Sequence, residues 1–92
     1  MNIKWILKDG TKAIECTSFP IAYRTMYNIM RKGVESGRKS DEMSRSLSIT
    51  GPIAAGAKSA TYSYSKASEK ATDMGLLTPE GQINGREFKR NY

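Results

Sequence analysis

The sequence predicts a small α+β fold, and three observations carry the prediction. Two runs of alternating apolar and polar residues flank Asp9-Gly10. A long stretch after Pro20 repeats its apolar residues with helical period, and a second, alanine-rich stretch with the same period ends at Gly75. The expected order is an N-terminal β-hairpin packed on an amphipathic helix, then a second helix and a short C-terminal turn or hairpin. At 92 residues the chain is the length of one domain with a modest core.

The hairpin spans about residues 3–16. Asp-Gly between alternating runs favours a two-residue turn, because its central positions need positive φ. With Asp9 and Gly10 at those positions, Leu7 opposes Lys12, Trp5 opposes Ile14 and Ile3 opposes Cys16. One face then collects Ile3, Trp5, Leu7, Ile14 and Cys16. The other carries Lys4, Ile6, Lys8, Thr11, Ala13 and Glu15, with Lys4 across from Glu15. That one turn sorts apolar from polar residues and pairs opposite charges.

The first helix is expected over about residues 20–35. Thr17 and Ser18 supply a hydroxyl near the cap, and Pro20 suits a first turn. Ala22, Tyr23, Met26, Tyr27, Ile29, Met30, Gly33 and Val34 share one broad face, while Arg24, Asn28, Arg31, Lys32 and Glu35 lie opposite. Gly37 fits the left-handed position that ends a helix. This helix should cross the hairpin over Trp5 and Ile14. A β-β-α order with a basic helix face is shared, in element order alone, with DNA-binding modules that place a small sheet or helix in a groove.

Residues about 38–58 form a Ser/Gly-rich connection. Within it, Ser40 could cap a short helix through Asp41, Glu42, Met43 and Arg45. Leu47 and Ile49 alternate with serines toward Gly51-Pro52, which suits a brief strand as well as a loop. The run from Gly51 to Ser59 approaches the phosphate-loop pattern, but Ala57 separates the second glycine from Lys58 and moves the ammonium off register. Gly56, Lys58 and Ser59 at a helix N-terminus could still hold one phosphate.

The second helix, about residues 60–74, carries a narrow seam of Ala60, Tyr64, Ala67, Ala71 and Met74. The seam suits packing on the first helix, or pairing with the same seam of a second copy. Gly75 closes it, and Leu76-Leu77 should fold back on the core. The remaining turn and tail, 76–92, begins with Thr78-Pro79-Glu80-Gly81, a β-turn by composition. Asn84-Gly85 repeats the hairpin signal, and Arg86, Lys89, Arg90 and Tyr92 surround Phe88 in a basic, aromatic end.

Function is bounded by composition. Fifteen Lys and Arg against nine Asp and Glu leave a charge of +6, which favours a polyanionic partner: nucleic acid or an acidic protein surface. Histidine is absent, removing the commonest general base and metal ligand, so no catalytic, metal or cofactor site is expected. The single Cys16 cannot form an internal disulfide, and no run approaches the roughly 18 apolar residues of a membrane span. A cytoplasmic protein with no membrane partner is expected. Segment 46–80 is neutral, whereas 31–45 and 81–92 each carry +2. The leading reading is a non-enzymatic nucleic-acid-binding protein making phosphate contacts through Arg31, Lys32, Arg38, Lys39, Arg45, Lys58, Arg86, Lys89 and Arg90. The alternative is a protein-interaction or assembly subunit, either an accessory or inhibitor docking on a larger complex or a homo-oligomer.

Overall fold

Trp5 cannot lie flat on its neighbouring strand unless that strand offers a gap, and Gly51 is the gap. A Cβ added at Gly51 would fall on the six-membered part of the Trp5 indole. The computed structural model, which describes residues 4–52 and 59–86, builds a four-stranded antiparallel sheet around this contact. Its strands are β1 (Trp5–Asp9), β2 (Lys12–Cys16), β3 (Leu47–Pro52) and β4 (Ser59–Ser63), in spatial order β2-β1-β3-β4. The helices are α1 (Phe19–Glu35), α2 (Ser40–Ser46) and α3 (Tyr64–Asp73). The expected α+β class, with an N-terminal hairpin leading into an amphipathic helix, is the observed one.

The hairpin register differs from the expected one. Asp9 stays in the ladder opposite Lys12, so the loop is Gly10-Thr11, Leu7 faces Ile14 and Trp5 faces Cys16. Gly10 takes the positive φ, 62°. Its N–H donates to the Ser46 carbonyl at 3.0 Å, continuing the ladder in which Asp9 already faces Leu47. Pairing with β3 therefore holds Asp9 in the strand and moves the turn one residue on. Each partner shifts by two, so every side chain keeps its expected face. Lys4 still reaches Glu15, now diagonally, at 3.3 Å.

The strand pairings set out the covered face in rows. Ile14, Leu7, Ile49 and Tyr62 form one row. Leu7, Ile49 and Leu47 are essentially inaccessible, as are Ala22, Tyr23, Met26, Met43, Ala67, Ala71 and Leu76 from the helices and the turn beyond. Around Trp5 the core is aromatic. Its ring meets Phe19 edge-on at 5.5 Å and Tyr62 at 6.4 Å, and Phe19 stacks on Tyr23 at 6.1 Å. Such pairs add to the hydrophobic gain of burying large rings. Among the described residues, no helix packs on the opposite face. Its rows are Ala13-Lys8-Ser48-Ser63 and Glu15-Ile6-Thr50-Thr61, with the Thr50 and Thr61 hydroxyls 3.0 Å apart.

The described part of the expected connection, residues 38–52, is more than a connection. It holds α2 and β3, and β3 is a central strand. Lys39 occupies the N-cap position of α2 without a side-chain cap, so Ser40 is its first residue rather than its cap. A second correction concerns residues 60–63, which are strand, not helix. Ala60 and Tyr62 turn inward while Ser59, Thr61 and Ser63 are exposed, a period of two that the spacing from Ala60 to Tyr64 to Ala67 disguises. Ser63 then caps α3, accepting the Lys66 N–H at 3.4 Å. Because β4 begins at Ser59, that residue stands in a strand rather than at a helix N-terminus. Residues 53–58, including Lys58, lie outside the described residues.

α1 begins at Ser18, whose side chain accepts the Ile21 N–H. Its buried face includes Ala22, Tyr23, Met26, Met30 and Gly33. It lies toward β1 and β3, which leaves Ile14 38% exposed rather than covered, and Val34 falls off the buried face at 47%. Both long helices end in the same way. Gly37 (φ 93°) and Gly75 (φ 77°) take the left-handed position. Arg38 N–H then bonds Gly33 O and Leu76 N–H bonds Ala71 O, each at 2.9 Å, the paired closure of a Schellman motif. Leu76 is buried, as its place after Gly75 predicts. Of the α3 seam, Ala67 and Ala71 are fully buried within this chain, whereas Met74 is 36% exposed.

The C-terminal turn centres on Thr78–Gly81, closed by Gly81 N–H to Thr78 O at 2.9 Å. It brings Leu77 into a bridge with Ile83. At Asn84-Gly85, Asn84 N–H donates to Leu76 O at 2.8 Å and Gly85–Arg86 turn helically rather than as a strand; the second arm of the expected hairpin, from Glu87, lies outside the described residues. Phe88, Lys89, Arg90 and Tyr92 lie outside the described residues.

Two glycine contacts give a test. Gly51→Ala drives a methyl into the rigid indole, whereas Gly33→Ala meets the flexible end of Met43 and gains helix propensity. Gly51→Ala is expected to destabilise by about 1–3 kcal/mol and to shift Trp5 fluorescence. Urea melts should show a smaller loss for Gly33→Ala; equal losses would contradict the Trp5 anchor.

Candidate nucleic-acid interface

The outer face of α1 is built by spacing. Arg24, Tyr27, Asn28 and Arg31 stand at i, i+3, i+4 and i+7, so they stack along one side of the helix. The C-terminal turn runs beside them, and Tyr27 OH donates to Gly81 O at 3.5 Å. Between helix and turn lies a groove of about 280 Å³ lined by Arg24, Tyr27, Asn28, Arg31, Gln82 and Ile83. Two guanidinium groups and two side-chain amides line it, with no carboxylate among the lining residues. Arg31 also reaches Glu35 at 3.9 Å, but both side chains are about two-thirds exposed, where such a pair contributes little.

The residues named from sequence separate into groups. Arg31 lines the groove, and Lys32 is its exposed neighbour on α1. Arg38 and Lys39 are exposed in the link to α2; a Cβ at Gly33 would sit 3.6 Å from Arg38 Cδ, so the Arg38 stem folds back on the end of α1. Arg45, on α2, faces Asp41 at 4.0 Å. Arg86 is exposed three residues beyond Ile83. Lys58, Lys89 and Arg90 lie outside the described residues. Arg24, Tyr27, Asn28, Gln82 and Ile83 were not foreseen as site residues. The Arg24–Arg31 spacing of seven was a readable signal; Gln82 and Ile83 carried none, because only the folded turn brings them to α1.

A second concavity, about 380 Å³, lies on α3 beside β4, lined by Tyr62, Lys66, Glu69, Lys70, Asp73 and Met74. Its two lysines face two carboxylates, so it has no charge preference to match the first. Lys70 Nζ sits 5.3 Å from the Phe19 ring centre and 5.7 Å from that of Tyr62, a structural cation–π contact. Among the described residues no three His, Cys, Asp or Glu side chains converge as metal ligands. No helix among them is long and apolar enough to cross a membrane. Cys16 is buried, and burial pushes its thiol upward, away from the reactive thiolate.

No protein-family model matches this chain, and neither a curated protein nor a solved structure matches it. The surface itself carries the functional reading.

Tyrosines connect the groove to the interior. Tyr27 meets Tyr23 with ring centres 6.4 Å apart, and the Tyr23 hydroxyl shares a 3.1 Å hydrogen bond with Ser68. Burial raises Tyr23, with Ser68 opposing the shift. Burial, aided by repulsion from Tyr23 and Tyr27, pushes Tyr64 up to about 12. Below the ordinary value of 10 these phenols are neutral in folded and unfolded chains alike. Above it the unfolded chain ionises first, so stability falls as pH rises from 10 toward about 12. Urea melts across that window should show a steep fall for the wild type and a shallower one for Tyr64→Phe. The same slope in both would contradict a buried, late-ionising Tyr64.

Proposed function

We propose that the protein is a non-enzymatic binding module that engages nucleic acid through phosphate contacts centred on the outer face of α1. The observation supporting this reading is the groove in which Arg24 and Arg31 converge with Asn28 and Gln82, a lining made largely of groups that can donate to phosphate. Guanidinium groups suit phosphate because their planar donors can bond two oxygens at once. Lys32, Arg38 and Lys39 extend the basic surface around the C-terminal end of α1, and Arg86 follows the turn that forms the other wall. Arg45 contributes less, being paired with Asp41. A reducing compartment such as the cytoplasm suits the single buried thiol.

A second reading rests on β2. It is an edge strand with four of its five residues exposed, and Ile14 presents apolar surface there. An unpaired edge is a template for a strand from another chain. Association through it predicts a concentration-dependent increase in mass by light scattering that Ile14→Lys abolishes. A strict monomer at high concentration contradicts this reading.

For the leading reading, binding to labelled duplex DNA, single-stranded DNA and RNA is measured over a range of salt. Affinity should fall linearly on a log–log scale as salt rises. The Arg24→Glu/Arg31→Glu variant should lose most of the affinity and flatten the slope by about two. Arg38→Glu/Lys39→Glu should weaken binding in the same uniform way. Absence of binding at low salt, or wild-type affinity in both variants, overturns the reading.

A further inference from the structure

The groove holds more than phosphate chemistry requires. A site for backbone phosphates alone needs cations and N–H donors. This one also has an apolar part, the half-buried Tyr27 and Ile83, and two side-chain amides, Asn28 and Gln82. Each amide offers both a donor and an acceptor, the pattern that reads the edge of a base rather than a phosphate. Its volume, about 280 Å³, lies near the lower end of small-molecule sites. It is walled by a helix on one side and a turn on the other. A duplex keeps its bases stacked and offers only their edges in its grooves, so it has no free base face to lay on a ring. A single strand can turn a base out and stack it on an aromatic ring.

Resting on the nucleic-acid reading above, we propose that this groove seats one nucleotide of a single strand. The base lies against Tyr27 and Ile83 with its edge on Asn28 and Gln82, while Arg24 and Arg31 hold the flanking phosphates. The two arginines stand seven residues apart on α1, a rise of about 10 Å, enough to bracket a nucleotide whose backbone runs along the helix.

The test is fluorescence anisotropy with short labelled oligonucleotides: single-stranded DNA, single-stranded RNA, and the blunt duplex of the same sequence. Each is titrated with wild type, Tyr27→Leu, Tyr27→Phe and Gln82→Ala, after circular dichroism has verified folding. At least one single strand should bind tenfold or more tighter than the duplex, and the comparison of DNA with RNA identifies which strand is preferred. Tyr27→Leu should weaken single-strand binding by about five- to 150-fold, the range for one stacked base, with the salt slope unchanged. Tyr27→Phe keeps the ring while losing the hydroxyl bond to Gly81, and should restore most of the single-strand affinity lost in Tyr27→Leu. Gln82→Ala, at an exposed position, should reduce discrimination between bases while leaving folding intact. Duplex binding equal to single-strand binding, or wild-type affinity in folded Tyr27→Leu, overturns the seat while leaving phosphate binding standing. Failure of every oligonucleotide to bind at low salt overturns both.

Discussion

The contact of Trp5 with Gly51 is the constraint on which the rest of this structure depends. A side chain at position 51 would lift the indole off β3. Lying flat, the indole reaches Tyr62 on β4 and Phe19 at the start of α1. One residue thus ties three strands to the principal helix. The consequence runs outward: with Phe19 fixed and the buried face of α1 set against β1 and β3, the arginines of the opposite face have one direction to point. Leu76, locked behind Gly75, returns the chain so that Gln82 and Ile83 stand beside them. The groove follows from core packing at two places, neither of which touches a ligand.

Charge is distributed so that the two concavities differ in kind. On α3, lysines and carboxylates share one recess, and their fields largely cancel. On α1, Arg31 pairs with Glu35 in solvent, where screening weakens the pair. The opposite sheet face is different again: its rows carry Ser48, Thr50, Thr61 and Ser63 around Ile6, with Lys8 exposed and Lys4 matched by Glu15. A flat face without an exposed aromatic ring has little to offer a base. Among these surfaces of the described residues, the α1 groove is the one whose lining brings arginines, an aromatic ring and side-chain amides together.

Much of the fold was legible because hydrophobic period and turn chemistry agreed. The faces of β1 and β2 were readable even though the turn was placed one residue early, since a shift of two in pairing preserves them. Ser18, Pro20, Gly37 and Gly75 marked helix ends through backbone rules that need no tertiary context. β3 was half visible, as its outward residues are Ser48 and Thr50 and only Leu47 and Ile49 speak for a core. β4 was hidden because Ala60, Tyr64 and Ala67 satisfy a helical spacing as well as a strand followed by a capped helix. For the site, Arg31, Lys32, Arg38 and Lys39 were readable as clustered charge. The groove itself was not, because it depends on a turn returning across the fold to meet α1, a relation no local pattern encodes.

In the proposed function, nucleic acid meets this protein at the α1 groove and not on the opposite sheet face. The most direct measurement is the change in amide and side-chain NMR shifts of isotope-labelled protein on adding a short single-stranded oligonucleotide. The predicted result is that perturbation concentrates on Arg24, Tyr27, Asn28, Arg31 and Gln82, with Ile6, Lys8, Thr50 and Thr61 unmoved. Shifts confined to the sheet face, with the groove residues silent, would contradict it.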